Sequence, residues 1–338
     1  MSAPATHSKP LGVPASEAAP PGAIPELHVT GQSLGARMST GRVLVAVTGG
    51  PDTAAPTAVA HALERRYGTT VSAIQVLDVS GAALPAPLPS AFTLARELIG
   101  DAPYEAEART RREQFGELLG ERNQWPVHIA VGTPATEILR HADATGAALI
   151  VMGLRHHGTL DRVLRDETTL HVARRAHAPV LAVVSDLRGL PRRAVVGVDF
   201  GPASVQAARA ALDMLARPVT PRSALLRLVY VNRWDGDTTS AAATGEALIR
   251  RLGADAAFTQ LIRELEVPPN VRVDTTTLYG DPATELLAFA TESEADLIAV
   301  GSLRHERIEQ WMVGSVTTEI IRDGRCSVLV IPPARRSG

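Results

Sequence analysis

The sequence predicts an α/β protein built as two tandem units, each a mainly parallel five-stranded sheet with helices on both faces. Three observations carry that prediction. Short, continuous apolar runs, beginning with residues 43–47, alternate along the chain with helix-permitting segments, as expected when right-handed crossovers feed a parallel sheet covered on both sides. The length of 338 residues suits two domains of ordinary size, each with its own core. The chain also repeats itself. GTPATEIL from Gly132 corresponds to GDPATELL from Gly280, AALIVMG from Ala147 to ADLIAVG from Ala295, and PVLAVV from Pro179 to SVLVIP from Ser327, each at an offset of 148 residues without a gap. A repeat of that length is a duplicated domain, far longer than a solenoid period.

The elements follow in order. Residues 1–41 are rich in Ala, Pro, Ser and Gly, and composition predicts a disordered tail. Order is expected from Arg42, in a first unit covering 42–184. Its strands are expected at 43–47, 70–79, 127–131, 149–152 and 180–184, and its helices at 56–67, over the charged stretch 104–122, from Pro134, and around 168–176. A Pro/Ala-rich loop is expected at 81–89. The polar segment 185–193, with Pro191, is the linker to a second unit at 194–332, followed by a short tail at 333–338. There, strands at 194–198, 225–232, 271–277, 297–300 and 328–331 alternate with helices at 204–215, 245–265, from Pro282 and from Ser315. Asp281 before Pro282 is a good helix opening, because the carboxylate can accept a backbone N–H while Pro at the first position loses no hydrogen bond. Two units on so short a linker should pack as a pseudo-symmetric intrachain pair.

Composition and missing motifs exclude several classes of function. A formal net charge of -2 gives no reason to expect a nucleic-acid partner. No apolar run approaches the roughly 18 residues of a membrane span, and the N-terminus lacks a secretion signal, so a soluble cytoplasmic protein is the expectation. The single cysteine, Cys326, forbids an intrachain disulfide; just before a buried strand it reads as an inert structural thiol. No G-x-G-x-x-G follows either first strand and no G-x4-GK[ST] is present, which leaves hydride transfer and P-loop hydrolysis without support. Neither G-x-S-x-G nor a nucleophile with an identifiable base appears, so no catalytic residue is assigned. His156, His157, His171 and His177 show no metal-ligand spacing and read as surface or loop residues. Arg109, Arg111 and Arg112 alternate with Glu105, Glu107 and Glu113 on what reads as a solvated helix face.

One constellation remains. A strand ending in Gly301, a loop, and Gly314-Ser315 opening a helix make a phosphate cradle. Asp199 lies just beyond the first strand of the second unit, where an acid can serve ribose hydroxyls, a base edge, or the cap of the next helix. Open parallel sheets bind ligands at the carboxyl edge where strand order reverses, and there strands one and four would bring Asp199, Gly301 and Gly314-Ser315 together.

On these residues the chain resembles a tandem universal stress protein, with two UspA-type domains over about 42–184 and 194–332. The resemblance implies Rossmann-like units of the adenine nucleotide alpha hydrolase-like kind, with strand order 3-2-1-4-5. Members that bind ATP carry Gly-x2-Gly-x9-Gly-Ser/Thr after the fourth strand and an acid after the first. The second unit has Gly301, Arg304 in place of the second glycine, then Gly314 and Ser315; it keeps Asp199, and Val231 where the family packs an apolar side chain on adenine. Val198, Val300, Val316 and Thr317 flank these positions and complete the implied set. The implied cofactor is ATP, accompanied by Mg2+. Arg304 loses the close backbone approach that glycine permits, yet its guanidinium can contact phosphate oxygens in pairs. The first unit departs further, with Thr48 for the acid, Gly153 kept, His156 for the second glycine, and Asp166-Glu167 at the Gly-Ser positions. Two carboxylates there repel a polyphosphate, although they would suit a helix N-terminus. Two readings follow. One is a stress-response module that binds ATP in the second unit only, with at most slow hydrolysis, and whose occupancy alters association with a second copy or another protein. The other is a scaffold in which both pockets are vestigial.

Overall fold

The structure, a computed structural model, describes residues 32–48, 53–77, 109–110, 113–114, 116, 125–154, 162–215, 224–233, 241–302 and 314–333. The expected tail at 1–31, the loop at 81–89, most of the helix at 104–122, His156, His157, Arg304, the side chain of Asp166 and residues 334–338 lie outside the described residues.

A short helix, α1 (Leu34–Thr40), precedes the first unit, which comprises β1 (Arg42–Val47), α2 (Ala54–Tyr67), β2 (Thr70–Leu77), β3 (Val127–Val131), α3 (Pro134–Thr145), β4 (Ala147–Leu154), α4 (Arg162–Arg175) and β5 (Val180–Val184). The second unit repeats the order with β6 (Arg193–Gly197), α5 (Pro202–Met214), β7 (Ala224–Asn232), α6 (Ala241–Glu264), β8 (Val271–Tyr279), α7 (Pro282–Glu292), β9 (Leu297–Gly301), α8 (Ser315–Asp323) and β10 (Ser327–Ile331). The duplication is visible in the backbone. Gly132 and Gly280 take φ values of 146° and 139° before the two Pro-opened helices, and a side chain at either would run into Glu137 or Glu285. Asp281 caps α7 as expected, accepting from the N–H groups of Ala283 and Thr284, both at 3.1 Å.

All ten strands join one sheet, in the order β3-β2-β1-β4-β5-β10-β9-β6-β7-β8. Each unit therefore has the order 3-2-1-4-5, the second running in the reverse direction across the sheet. Pairing is parallel throughout except at the seam, where β5 and β10 run antiparallel with Leu181 opposite Leu329. Central strands are buried on both faces, which is why β1, β5 and β10 read as unbroken apolar runs. The terminal strands β3 and β8 are only partly buried, as edges are. One apolar cluster, including Val59 and Leu149 of the first unit and Met214 and Leu329 of the second, crosses the seam beneath α2 and α5. A second lies on the opposite face, where Leu170 and Ala173 of α4 join Ile320 and Ile321 of α8. The two units are thus an intrachain pair with a shared core.

Residues 34–40, which composition assigned to the tail, are instead a helix docked on this pair. Ser33 caps α1 by accepting from the Ala36 N–H at 3.1 Å. Leu34 and Met38 are buried, each burial stabilising by about 1.5–3 kcal/mol. Seven residues cannot hold a helix alone in water, and local composition misses this one because its partners are distant. The Gly35 N–H donates to Asp213 Oδ2 of α5 at 2.8 Å. Tyr67 donates its hydroxyl to the Asp213 carbonyl at 2.6 Å, and the Arg66 guanidinium donates to that of Leu215. The helix therefore belongs to the seam between the units.

Candidate functional site

In the second unit, strand order reverses between β6 and β9, which pair directly. Successive crossovers leave to opposite sides at that point, so the carboxyl ends of the two strands open onto a crevice. A cavity of about 530 Å³ lies there. Nine sequence-predicted residues line it: Val198, Asp199, Val231, Val300, Gly301, Gly314, Ser315, Val316 and Thr317. The tenth, Arg304, lies outside the described residues.

Asp199 sits in a tight turn after β6. Its Oδ1 accepts from the Gly201 N–H at 2.9 Å, while its own N–H donates to Ser204 Oγ at 3.2 Å. Ser204 in turn donates to the Gly201 carbonyl at 3.1 Å. Between them Phe200 adopts φ 60°, a conformation uncommon for a bulky residue and held here by the surrounding hydrogen bonds. Of the roles open to Asp199 in the sequence, helix capping does not apply. The N-cap of α5 is Gly201, and the Asp199 carboxylate bonds the N–H of that residue, outside the helix's first turn.

The two cradle glycines differ. A Cβ on Gly301 would lie 2.4 Å from the Ala203 carbonyl carbon, so β9 and the start of α5 approach too closely for any side chain. Gly314 is the N-cap of α8 with φ -61° and ψ 164°, ordinary extended geometry, and a Cβ there would meet nothing within 4 Å. Among the described residues no side chain caps α8. Its first N–H groups are therefore left to the cavity, which Ser315, Val316 and Thr317 line. Ala203 and Ser204 bring the start of α5 to the same space, and Pro282 brings the start of α7. Three helix N-termini converge there, of which α7 is already capped by the Asp281 carboxylate while α8 keeps its partial positive charge for the cavity. Asp199 is the lining carboxylate and Arg233 the lining cation among the described residues. Arg233 also adds to the hydrogen bonds, foremost that from the Thr284 N–H, that hold the Asp281 carboxyl below its usual range.

The sequence reading missed Gly197, Ala203, Ser204, Val229, Tyr230, Asn232, Arg233, Pro282 and Leu286 as lining residues. The polar Asn232 at the end of the apolar run LRLVYV was the one available signal.

The first unit differs in backbone as well as in side chains. Its α4 begins at Arg162, whereas the counterpart of Ser315 is Glu167. Asp166-Glu167 thus stands in the second turn of α4, correcting the expectation that these acids occupy a helix N-terminus. In the second unit Gly314 is the N-cap at which the helix begins; at the matching place the first unit has Asp166, inside a helix that begins at Arg162. At the matching end of β1, the carbonyl of Thr48 accepts from the buried Gln75 amide at 3.1 Å. His171 and His177 are exposed, and among the described residues no group of three or more potential ligands could hold a metal ion. Burial, aided by Asp296, pushes the Cys326 thiol up to about 12, which leaves it unreactive at neutral pH. No helix among the described residues is long and apolar enough to cross a membrane.

The sequence pattern of the universal stress protein family matches residues 40–184 and 191–332. A universal stress protein of Mycolicibacterium smegmatis is 29% identical over 248 residues, which span 68% of this chain and 81% of that one. Universal stress protein MJ0531 of Methanocaldococcus jannaschii is 25% identical over 158 residues, 46% of this chain and 90% of its own. The crystal structure of a universal stress protein from Archaeoglobus fulgidus superimposes with a TM-score of 0.52 at 18% identity, covering 87% of this chain and 96% of that one. At that identity the likeness is one of fold.

Proposed function

The chain belongs to the universal stress protein family, with one such domain in each half, and from that premise we propose that its second unit binds ATP or a related adenine nucleotide while the first does not. The observation that carries this reading is the convergence of helix N-termini on the cavity beyond β6 and β9, with the first turn of α8 uncapped by any side chain among the described residues. Backbone N–H groups and helix dipoles directed into one space favour an anion. About 530 Å³ falls within the range of small-ligand pockets and accommodates a nucleoside phosphate. Asp199 supplies the acceptor that a ribose hydroxyl needs, and Val231, Val300 and Leu286 supply an apolar wall for a base. Because Asp199 is the lining carboxylate, a Mg2+ ion would be held chiefly by the phosphates it accompanies. The role assigned is binding, with occupancy altering association with a second copy or a protein partner.

Calorimetric titration of the intact chain with ATP tests this. One site of submillimolar affinity is expected, and its loss in both Asp199→Ala and Gly314→Asp. The second substitution places a carboxylate against the incoming phosphate at a position where a side chain has room. No binding by the intact protein would favour the scaffold reading. Two sites per chain would overturn the assignment of the first unit as non-binding.

A further inference from the structure

We propose that Asn232 reads the base in this cavity and selects adenine over guanine, an inference that rests on the nucleotide reading above. Asn232 ends β7, lines the cavity and is only 5% exposed. Its backbone carbonyl is satisfied, accepting from the Gly280 N–H at 3.1 Å. Its side-chain amide, with one acceptor oxygen and two N–H donors, has no hydrogen-bond partner among the described residues. Its polar atoms are not among those sealed away from solvent without a partner, so the amide is open to pairing from the cavity side. The cavity is the place from which a partner can come.

Position along the sheet edge says which part of a ligand that partner is. The strands at the crevice run in the order β9-β6-β7. Beyond β9 the cavity meets the uncapped start of α8, and beyond β6 it meets the Asp199 turn. The Val198 N–H bonds to the Val229 carbonyl at 2.9 Å, and Asn232 lies three residues further along β7, about 10 Å at the rise of an extended strand. The edge thus offers an anion-binding end, a hydroxyl acceptor and a base-reading amide in sequence, matching the order phosphate, ribose, base. The same alternation places Asn232 on the face of β7 that carries Tyr230, whose ring packs on Phe200 with centroids 5.3 Å apart. Asn232 therefore shares the side of the sheet occupied by the Asp199 turn, and Val231, Val300 and Leu286 the other, so a base at the end of β7 would meet the apolar wall on one side and the amide on the other.

Adenine presents a donor, the N6 amino group, beside an acceptor, N7; on the same edge guanine presents two acceptors, O6 and N7. A carboxamide pairs with both adenine groups at once. Against guanine its oxygen meets O6 with no proton between them.

The test uses the full chain, titrated calorimetrically with ATP, GTP and 7-deaza-ATP, which lacks the N7 acceptor. The wild type should bind ATP roughly tenfold more tightly than either analogue, the discrimination expected of a paired amide. Asn232→Ala should bring all three within about threefold of one another by weakening ATP alone. Asn232→Asp preserves size but removes the donor, and should bind ATP no better than the wild type binds 7-deaza-ATP. The comparison of nucleotides on the unmutated chain needs no variant to fold. If ATP binds in an Asp199-dependent manner but the wild type shows no preference, or the preference survives in a folded Asn232→Ala, the inference fails while the nucleotide reading stands. If the wild type binds no nucleotide, both fail.

Discussion

Gly301 and Gly314 show how one residue type can be required for different reasons. In the sequence both belong to one motif, and both read as backbone freedom beside a phosphate. Packing separates them, since Gly301 faces the Ala203 backbone and Gly314 faces open space. Gly301→Ala should therefore cost about 1–3 kcal/mol, as overpacking does, without any ligand present. Gly314→Ala should change stability by less than about 0.5 kcal/mol, as substitutions at uncrowded surface positions do. Urea unfolding of the two variants checks this, and equal losses would contradict it. The motif was legible in the sequence because its residues are close together. The contact that makes Gly301 necessary was not, because Ala203 lies 98 residues away on another element. Asn232 escaped notice for a related reason: nothing in a sequence records that an amide at a strand end opens onto a cavity.

At the scale of elements, strands and Pro-opened helices were legible because burial on two faces and the Asp-Pro opening leave local marks. Helix starts without such marks were not. α4 starts at Arg162, six residues before the expected start at 168, and α1 exists through contacts with α5. The edge pair β3 and α3 carries a feature that sequence spacing does not suggest. The rings of His128 and His141 stack with centroids 4.5 Å apart and planes at 11°. Burial first, then His128, Arg140 and Arg42, lowers the His141 pKa from 6.5. The folded chain therefore takes up this proton less readily than the unfolded chain does. Below about pH 6.5 the unfolded state binds more protons, so the contribution of this group to stability is unimpaired above that pH and falls as pH descends through it. The melting temperature should hold between pH 8 and about 7, then decline toward pH 5, and His141→Gln should flatten that decline. A wild-type profile that rises on acidification would show that the stacked pair is not the controlling group.

At the scale of the molecule, the alternating pattern and the exact repeat made the tandem fold and its pairing legible, whereas the antiparallel seam that fuses ten strands was not written in either half alone. Val184 donates its N–H to Ser327 Oγ at 3.3 Å across that seam, and Arg174 of α4 reaches Thr318 Oγ1 of α8 at 3.3 Å. Separating the halves would leave β10 with an unpaired edge and α8 with an uncovered apolar face. The isolated second unit, residues 185–338, is therefore expected to sediment as a dimer that re-forms the seam with a copy of itself. A stable monomer at micromolar concentration would contradict this.

The seam also fixes what can be inherited. When a two-fold pair is assembled from identical subunits, any substitution appears at both related places, and the two halves cannot be tuned apart. Covalent fusion removes that constraint, because each half is encoded separately while the single polypeptide keeps them in equal number. One half can then lose its glycine-marked helix start, as at Asp166, without altering the other. A saturation curve with a single class of site would follow from the covalent layout itself, with no communication between the halves required to produce it.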